Sequence, residues 1–158
     1  MVQKIEEEKG HMFLHFGASP EDVGQIEFVS CLAHQQNQIL LCKWRDEDIW
    51  VVPGGRVDPG ETAEAAARRE LLEGTGATLK NIDVLCYIHC FMFNLEYWGI
   101  AYLGEIKELD SPLDLNEVSE AKLFSCFPEN TAKPGPFDNQ SKALYLAAVR
   151  YLSEGKDN

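Results

Sequence analysis

Residues 55–77 read Gly-Arg-Val-Asp-Pro-Gly-Glu-Thr-Ala-Glu-Ala-Ala-Ala-Arg-Arg-Glu-Leu-Leu-Glu-Gly-Thr-Gly-Ala. A glycine turn runs into an alanine-rich stretch without proline, which predicts a helix over residues 61–75. Gly76 stands where a helix-ending glycine is expected. Gly54, Gly55 and Gly60 let the loop ahead of the helix turn tightly and approach it closely, and Asp58-Pro59-Gly60 is a turn signal in its own right. At about 100° per residue, Glu70 and Glu73 project about 60° apart and lie about 4.5 Å apart along the axis. Carboxylates that close repel each other, and a divalent cation between them relieves the repulsion. Mg²⁺ and Mn²⁺ suit such oxygens and keep open positions for further oxygen ligands.

Working outward, the 158 residues suffice for one domain with a real core and are too few for two ordinary ones. A hydrophobic share of 45% and a charged share of 25% are those of a soluble globular protein. The net charge of −12 argues against nucleic acid or an anionic membrane as the main partner, because both reward Lys and Arg. An acidic protein can hold a polyanion only if metal cations intervene. No apolar run reaches transmembrane length, and residues 1–10 are too charged for a signal peptide. They read as a charged, frayed leader, with a single domain over residues 11–158. Cys31, Cys42, Cys86, Cys90 and Cys126 are odd in number and lie among apolar residues, so they read as free thiols in a reducing cytoplasm. In a strand, Cys86 and Cys90 share one face and His89 takes the other, which favours core cysteines over a metal site.

Strands are expected at residues 11–16, 26–34, 38–44 and 49–52, with Gln35-Gln36-Asn37 as a hairpin turn and residues 45–48 as a polar loop. Two more, 82–93 and 97–106, meet near Asn94-Leu95-Glu96. Residues 110–120 form an acidic loop, 121–127 a last short strand and 131–137 a proline-bearing loop. Residues 139–153 read as a second helix, with Leu144, Ala148, Tyr151 and Leu152 at core spacing. Strands, helix, strands, helix give an α/β (α+β) fold, a mixed sheet between helices.

The stretch 55–77 resembles the signature box of the Nudix hydrolases, MutT-like enzymes that cleave diphosphate linkages with divalent metals. That pattern is Gly, five residues, Glu, seven residues, Arg-Glu, an aliphatic residue, any residue, Glu-Glu, any residue, Gly, an aliphatic residue. Gly55, Glu61, Arg69, Glu70, Leu71, Glu73, Gly76 and Ala77 fall on it. The second member of the Glu-Glu pair is Gly74, which cannot ligate through a side chain. Trp50-Val51-Val52-Pro53-Gly54-Gly55 is similar to the family's lead-in. The resemblance implies an α/β/α sandwich and a structural ion pair between Glu61 and Arg69. It also implies that Glu70 and Glu73 are catalytic ligands of Mg²⁺ (or Mn²⁺), with a small-molecule nucleotide as substrate. Dimers are frequent among the family's members, so a homodimer is compatible with it.

With Gly74 in that place, another acid would have to come from a loop. Residues 116–124 resemble a segment in which the family carries an acid that binds metal or acts as general base. Glu117 is the first candidate and Glu120 the second; both also read as solvated loop acids. Arg45 and Arg56 flank the expected mouth and are candidates for phosphate contact. Phe91, Phe93, Tyr97, Trp98 and Tyr102 either fill the core or stack on a base. Three readings follow: a pyrophosphohydrolase, a catalytically weakened nucleotide-binding or regulatory domain on the same scaffold, and a protein-interaction module. P-loop and dinucleotide-binding folds are disfavoured, because neither Gly-Lys-Ser/Thr nor the Gly-x-Gly-x-x-Gly spacing occurs.

Overall fold

The computed structural model describes residues 1–45, 47, 49–112, 114–129 and 138–155. Strands β1 (Val2–Glu7), β2 (Gly10–His15), β3 (Ile26–Gln35), β4 (Gln38–Trp44), β5 (Trp50–Val51) and β6 (Gly54–Arg56) precede helix α1 (Ala63–Thr75). Strands β7 (Ala77–Leu79), β8 (Asp83–Met92), β9 (Leu95–Leu109) and β10 (Val118–Phe124) lead to helix α2 (Asp138–Glu154). The main path of the sheet runs β1-β2-β8-β9-β3-β4-β10. It is mixed: β3 runs parallel to β9, pairing Val29 with Ile100 and Leu32 with Leu103, while its other partners are antiparallel.

Alternation along the strands builds a core on each face. Val29, Cys31, Leu40, Ile100 and Tyr102 pack with Ala66, Ala67 and Leu71 of α1. Met12, Leu14, Leu32, Ile88 and Leu103 pack with Leu144, Tyr145 and Ala148 of α2. This is the α/β/α sandwich. The small alanines bring α1 close to the sheet, and full burial of Leu71 contributes roughly 2 kcal/mol.

Several expectations change. Residues 1–10 are not a frayed leader, because β1 pairs with β2 and places Ile5 opposite Met12 in the core. Only one side of this edge strand is buried, so the apolar signal is a single residue, and Lys4 and Glu6 pair with each other at 3.0 Å. Helix α1 begins at Ala63 rather than Glu61, because Thr62 is the N-cap and its Oγ1 accepts from the Ala65 amide at 3.1 Å. Strand β7 goes unread in the sequence because it is three residues long. Strand β10 starts at Val118, which packs with Cys42, Ile49 and Val51. The turn between β8 and β9 falls on Phe93 and Asn94, at φ 54° and 63°.

In α2, Leu144 and Ala148 are buried and Leu152 packs on the core, whereas Tyr151 is 43% exposed. The expected loop 131–137, with Asp46 and Asp48 of the loop 45–48, lies outside the described residues. Cys86 and Cys90 are core residues, and His89 on the opposite face stacks on Trp98 with ring centroids 4.0 Å apart. Burial pushes the thiols of Cys31, Cys42, Cys86 and Cys90 up to about 12, leaving them unreactive. Cys126, expected among apolar neighbours, is exposed. Among the described residues no helix is long and apolar enough to cross a membrane.

Candidate active site

One guanidinium organises the turn and helix read from residues 55–77. Arg69 donates from Nε to Glu61 Oε2 at 2.8 Å and from NH2 to Glu61 Oε1 at 2.9 Å. It also donates from NH2 to the Arg56 carbonyl at 3.1 Å and from NH1 to Glu70 Oε1 at 2.9 Å. Asp58 Oδ2 and Glu73 Oε2 each lie 3.5 Å from it. The two parallel bonds to Glu61 are the geometry for which Arg is suited. The hydrogen bonds from Arg69, and then that from the Asp58 amide, hold the Glu61 carboxyl down to about 2. Gly76 closes the helix in the left-handed region at φ 78°, its N–H donating to the Leu72 carbonyl at 2.9 Å.

Glu70 is pressed against the turn: a Cβ on Gly55 would overlap its carboxylate, so only glycine allows this approach. Burial raises the Glu70 carboxyl above the ordinary range, Arg69 pulls it down, and the charges of Glu73 and Glu117 push it up again. These acids line one cavity of about 510 Å³, together with Asp114, Gly74 and Arg56.

The sequence holds no hint of how Glu117 arrives there. The Asp114 amide donates to the Glu73 carbonyl at 2.9 Å, tying the loop to the end of α1. Asp114 Oδ1 accepts from the amides of Asn116 at 3.2 Å and Glu117 at 3.4 Å. From the other side, Arg45 donates from Nε to the Leu115 carbonyl at 2.6 Å and from its backbone N–H to the Glu117 carbonyl at 2.8 Å. Arg45, expected at the phosphates, therefore braces the loop that carries Glu117 and does not line the cavity. Arg56 does line it. Glu120 is exposed on β10 opposite Lys43 and is not a lining residue. Sequence reasoning misses Asp114, although an Asp two residues before Asn116 is a turn signal.

Of the five aromatics, Phe93 and Tyr97 line the cavity, where Tyr97 meets Phe28 edge-on with centroids 5.6 Å apart. Tyr102 lies in the α1-side core, while Phe91 and Trp98 pack around His89. Gln140 and Ser141, at the start of α2, also line the cavity.

The donors are all oxygens, which suits a hard divalent cation, and their crowded negative charge would be relieved by one. In the arrangement described, Arg69 engages Glu70 and Glu73. Among the described residues, no three Asp, Glu, His or Cys groups stand close enough to enclose an ion. Gly74 leaves room beside them: a Cβ there would sit 3.8 Å from Cys42 Sγ and 3.9 Å from Pro53 Cβ, ordinary contact distances.

A sandwich of this topology, with an arginine-braced turn and helix carrying acids into a cavity, defines a Nudix-type domain. The chain belongs to the NUDIX domain family, whose model matches residues 25–147. It is 60% identical over 52 residues to a provisionally named 8-oxo-dGTP diphosphatase of Bacillus subtilis (strain 168), covering 33% of this chain and 34% of that one. An RNA pyrophosphohydrolase of Roseobacter denitrificans (strain ATCC 33942 / OCh 114) is 26% identical over 126 residues, covering 68% and 79%. The matches to the first curated relatives span between 31% and 54% of those proteins' lengths. In fold, the chain is similar to the crystal structure of a mutant form of the Bacillus subtilis pyrophosphohydrolase BsRppH. The TM-score is 0.79 at 24% identity, with 97% of each chain covered. The NUDIX domain of Shewanella oneidensis NrtR, crystallised with ADP ribose, gives a TM-score of 0.60 at 20% identity, covering 86% and 94%.

Proposed function

We propose that the protein is a metal-dependent pyrophosphohydrolase that cleaves the diphosphate linkage of a nucleoside diphosphate joined to another group. The observation that carries this reading is the convergence of Glu70, Glu73 and Glu117 on one cavity, with Arg69 fixing the geometry of the first two. Membership of the NUDIX domain family and relatives named for diphosphate cleavage support it. Drawn together from the arrangement described, in which Arg69 engages the first two, Glu70, Glu73 and Glu117 would hold Mg²⁺ or Mn²⁺, which would neutralise charge on the phosphoryl group and activate water. Arg56 supplies a fixed positive charge at the phosphate end. Glu117, held by Asp114 and Arg45, is also the candidate general base. The substrate is a small nucleotide rather than a long nucleic acid, in keeping with the net charge of −12. Five cysteines without a disulfide fit a cytoplasmic protein.

A second reading, a nucleotide-binding or regulatory domain with weakened catalysis, is favoured by Gly74 alone. Phosphate release decides between them. Nucleoside triphosphates, nucleotide sugars, ADP-ribose, dinucleoside polyphosphates and a 5′-triphosphorylated RNA are each incubated with Mg²⁺, with Mn²⁺ and with chelator. Metal-dependent release of a mononucleotide or phosphate is expected from at least one small nucleotide. Saturable binding without turnover under every metal condition would leave the regulatory reading in its place.

A further inference from the structure

The tip of the β1–β2 hairpin is bonded to two other segments of the chain. On one side Glu7 Oε1 accepts from the Gln140 backbone N–H and the Glu6 carbonyl accepts from Asn139 Nδ2, both at 2.7 Å. Gln140 is the third residue of α2, so its amide is one that a helix leaves without a partner at its start. A carboxylate suits it, because the start of a helix is electropositive. On the other side the Lys9 carbonyl accepts from the Phe93 N–H at 3.0 Å. Gly10 lets β2 come this close to β8: a Cβ there would overlap the Phe91 carbonyl.

Both segments supply lining to the cavity, whereas Glu6, Glu7 and Lys9 do not. Gln140 and Ser141 come from α2, and Phe93, Leu95, Glu96 and Tyr97 from the β8–β9 turn and the start of β9. In that turn Phe93 and Asn94 stand at φ 54° and 63°. Two-residue turns with both central residues at positive φ match the twist of a hairpin, but they favour Asn and Gly, and a Phe there is an outlier. Strain of this kind persists where the surroundings over-determine a residue, and it gathers at functional sites. The bond from Phe93 to Lys9 is one such constraint.

We propose that the hairpin tip is a bracket that couples the first turn of α2 to the β8–β9 turn and so presets the shape of the cavity before a ligand arrives, with Glu7 as its positioning residue. Its effect on turnover rests on the pyrophosphohydrolase reading above. Glu70, Glu73 and Glu117 are held by a separate set of bonds, from Arg69, Asp114 and Arg45. Loosening the bracket therefore costs ligand affinity, because the ligand must then order segments that were ordered in advance, and leaves the chemical step alone.

Amide hydrogen exchange, followed by mass spectrometry without any ligand, tests the coupling. The full chain is compared with Glu7→Ala, Glu7→Gln and Ser141→Ala. The last removes the bond from the Val52 N–H, 3.2 Å long, and loosens the same turn of α2 without touching the hairpin. Glu7→Ala should raise exchange about fivefold or more in residues 92–97 as well as in 139–142. Glu7→Gln, which keeps an acceptor, should restore most of the protection, and Ser141→Ala should affect the α2 stretch alone. Asn139→Ala, which removes the exposed bond to the Glu6 carbonyl, should give the pattern of Glu7→Ala and serves where that variant does not fold. Kinetics on ATP, GTP and ADP-ribose in Mg²⁺ should show KM raised about threefold to tenfold in Glu7→Ala with kcat within about twofold. Unchanged exchange at 92–97 in Glu7→Ala, or an equal rise there in Ser141→Ala, overturns the bracket. Raised exchange with KM unchanged overturns the positioning role of Glu7. Coupled exchange in a wild type that cleaves no nucleotide sinks the pyrophosphohydrolase reading and leaves the bracket standing.

Discussion

The residues that α1 and α2 bring to the cavity are held on opposite principles. On the α1 side one side chain gathers the strong groups: Arg69 reaches Glu61, Glu70 and the Arg56 carbonyl. On the α2 side the backbone is pinned, but the Gln140 side-chain Nε2 is left without a hydrogen-bond partner among the described residues. Around Arg69 the ion pairs offset the repulsion among the acids, whereas nothing among the described residues offsets the cost of the unpaired Gln140 amide donor. Paired carboxylates and an unsatisfied amide thus follow different rules: ion pairs fix the geometry of the groups they join, whereas an unpaired buried donor costs stability.

Substitution on the α1 side should disturb this contrast most. Glu70→Gln removes one of the proposed ligands while keeping its hydrogen bond to Arg69, and should lower kcat by about 10²-fold or more. Steady-state kinetics with a circular-dichroism control check this; an unchanged kcat would remove Glu70 from the chemistry. Arg69→Ala strands Glu61 and frees Glu70 from the turn. Part of the network is solvent-exposed, so the loss of stability should be about 1–3 kcal/mol in urea unfolding, with activity falling alongside. Arg45→Ala should loosen the Glu117 loop and lower kcat about tenfold with KM little changed, whereas a direct phosphate ligand would raise KM.

Smaller effects probe the same division. Gly74→Glu adds a carboxylate where a Cβ fits, and replacing a helical glycine gains up to about 1 kcal/mol. The added charge crowds Glu70 and Glu73, so the gain should appear in Mg²⁺ and shrink in chelator, as read by melting temperature. The Mg²⁺ concentration for half-maximal activity should fall. The smallest effect concerns pH. The folded Glu61 carboxyl lies near 2, below its ordinary value of 4.5. A depressed carboxylate stabilises fully above the unfolded pKa and loses that contribution as pH falls toward the folded one. Comparing wild type with Glu61→Gln, the stability difference should be largest above pH 4.5 and shrink between pH 4.5 and 2; a difference flat across that range would mean the pair contributes nothing.

Much of the α1 side was legible because it is local. Gly55, Glu61, Arg69, Glu70 and Gly76 lie within 22 consecutive residues, and helical geometry alone sets which of them face the same way. Strand alternation likewise separated Cys86 and Cys90 from His89. Legibility failed where one residue carried a buried face, as with Ile5 in β1, and where a polar side chain had several partners to choose from. Arg45 is the clear case: its charge suggested a phosphate, but the carbonyls of Leu115 and Glu117 come within reach only once β10 pairs with β4.

Spacing along one stretch of chain was enough to set the turn, the helix and its stop, the acids on one side of that helix, and the alternation that makes a two-faced sheet. Packing between distant segments decided that Glu117 joins Glu70, that Arg45 is a brace, and that a strand of charged residues at the N-terminus holds α2 by Glu6 and Glu7. It also decided that Gln140 lines the cavity with its amide donor unpaired among the described residues. Those outcomes depend on register between segments far apart in the chain, as in the Glu7 to Gln140 contact across 133 positions. Local propensity carries no information about such a meeting, because it is fixed by which buried faces must pack together.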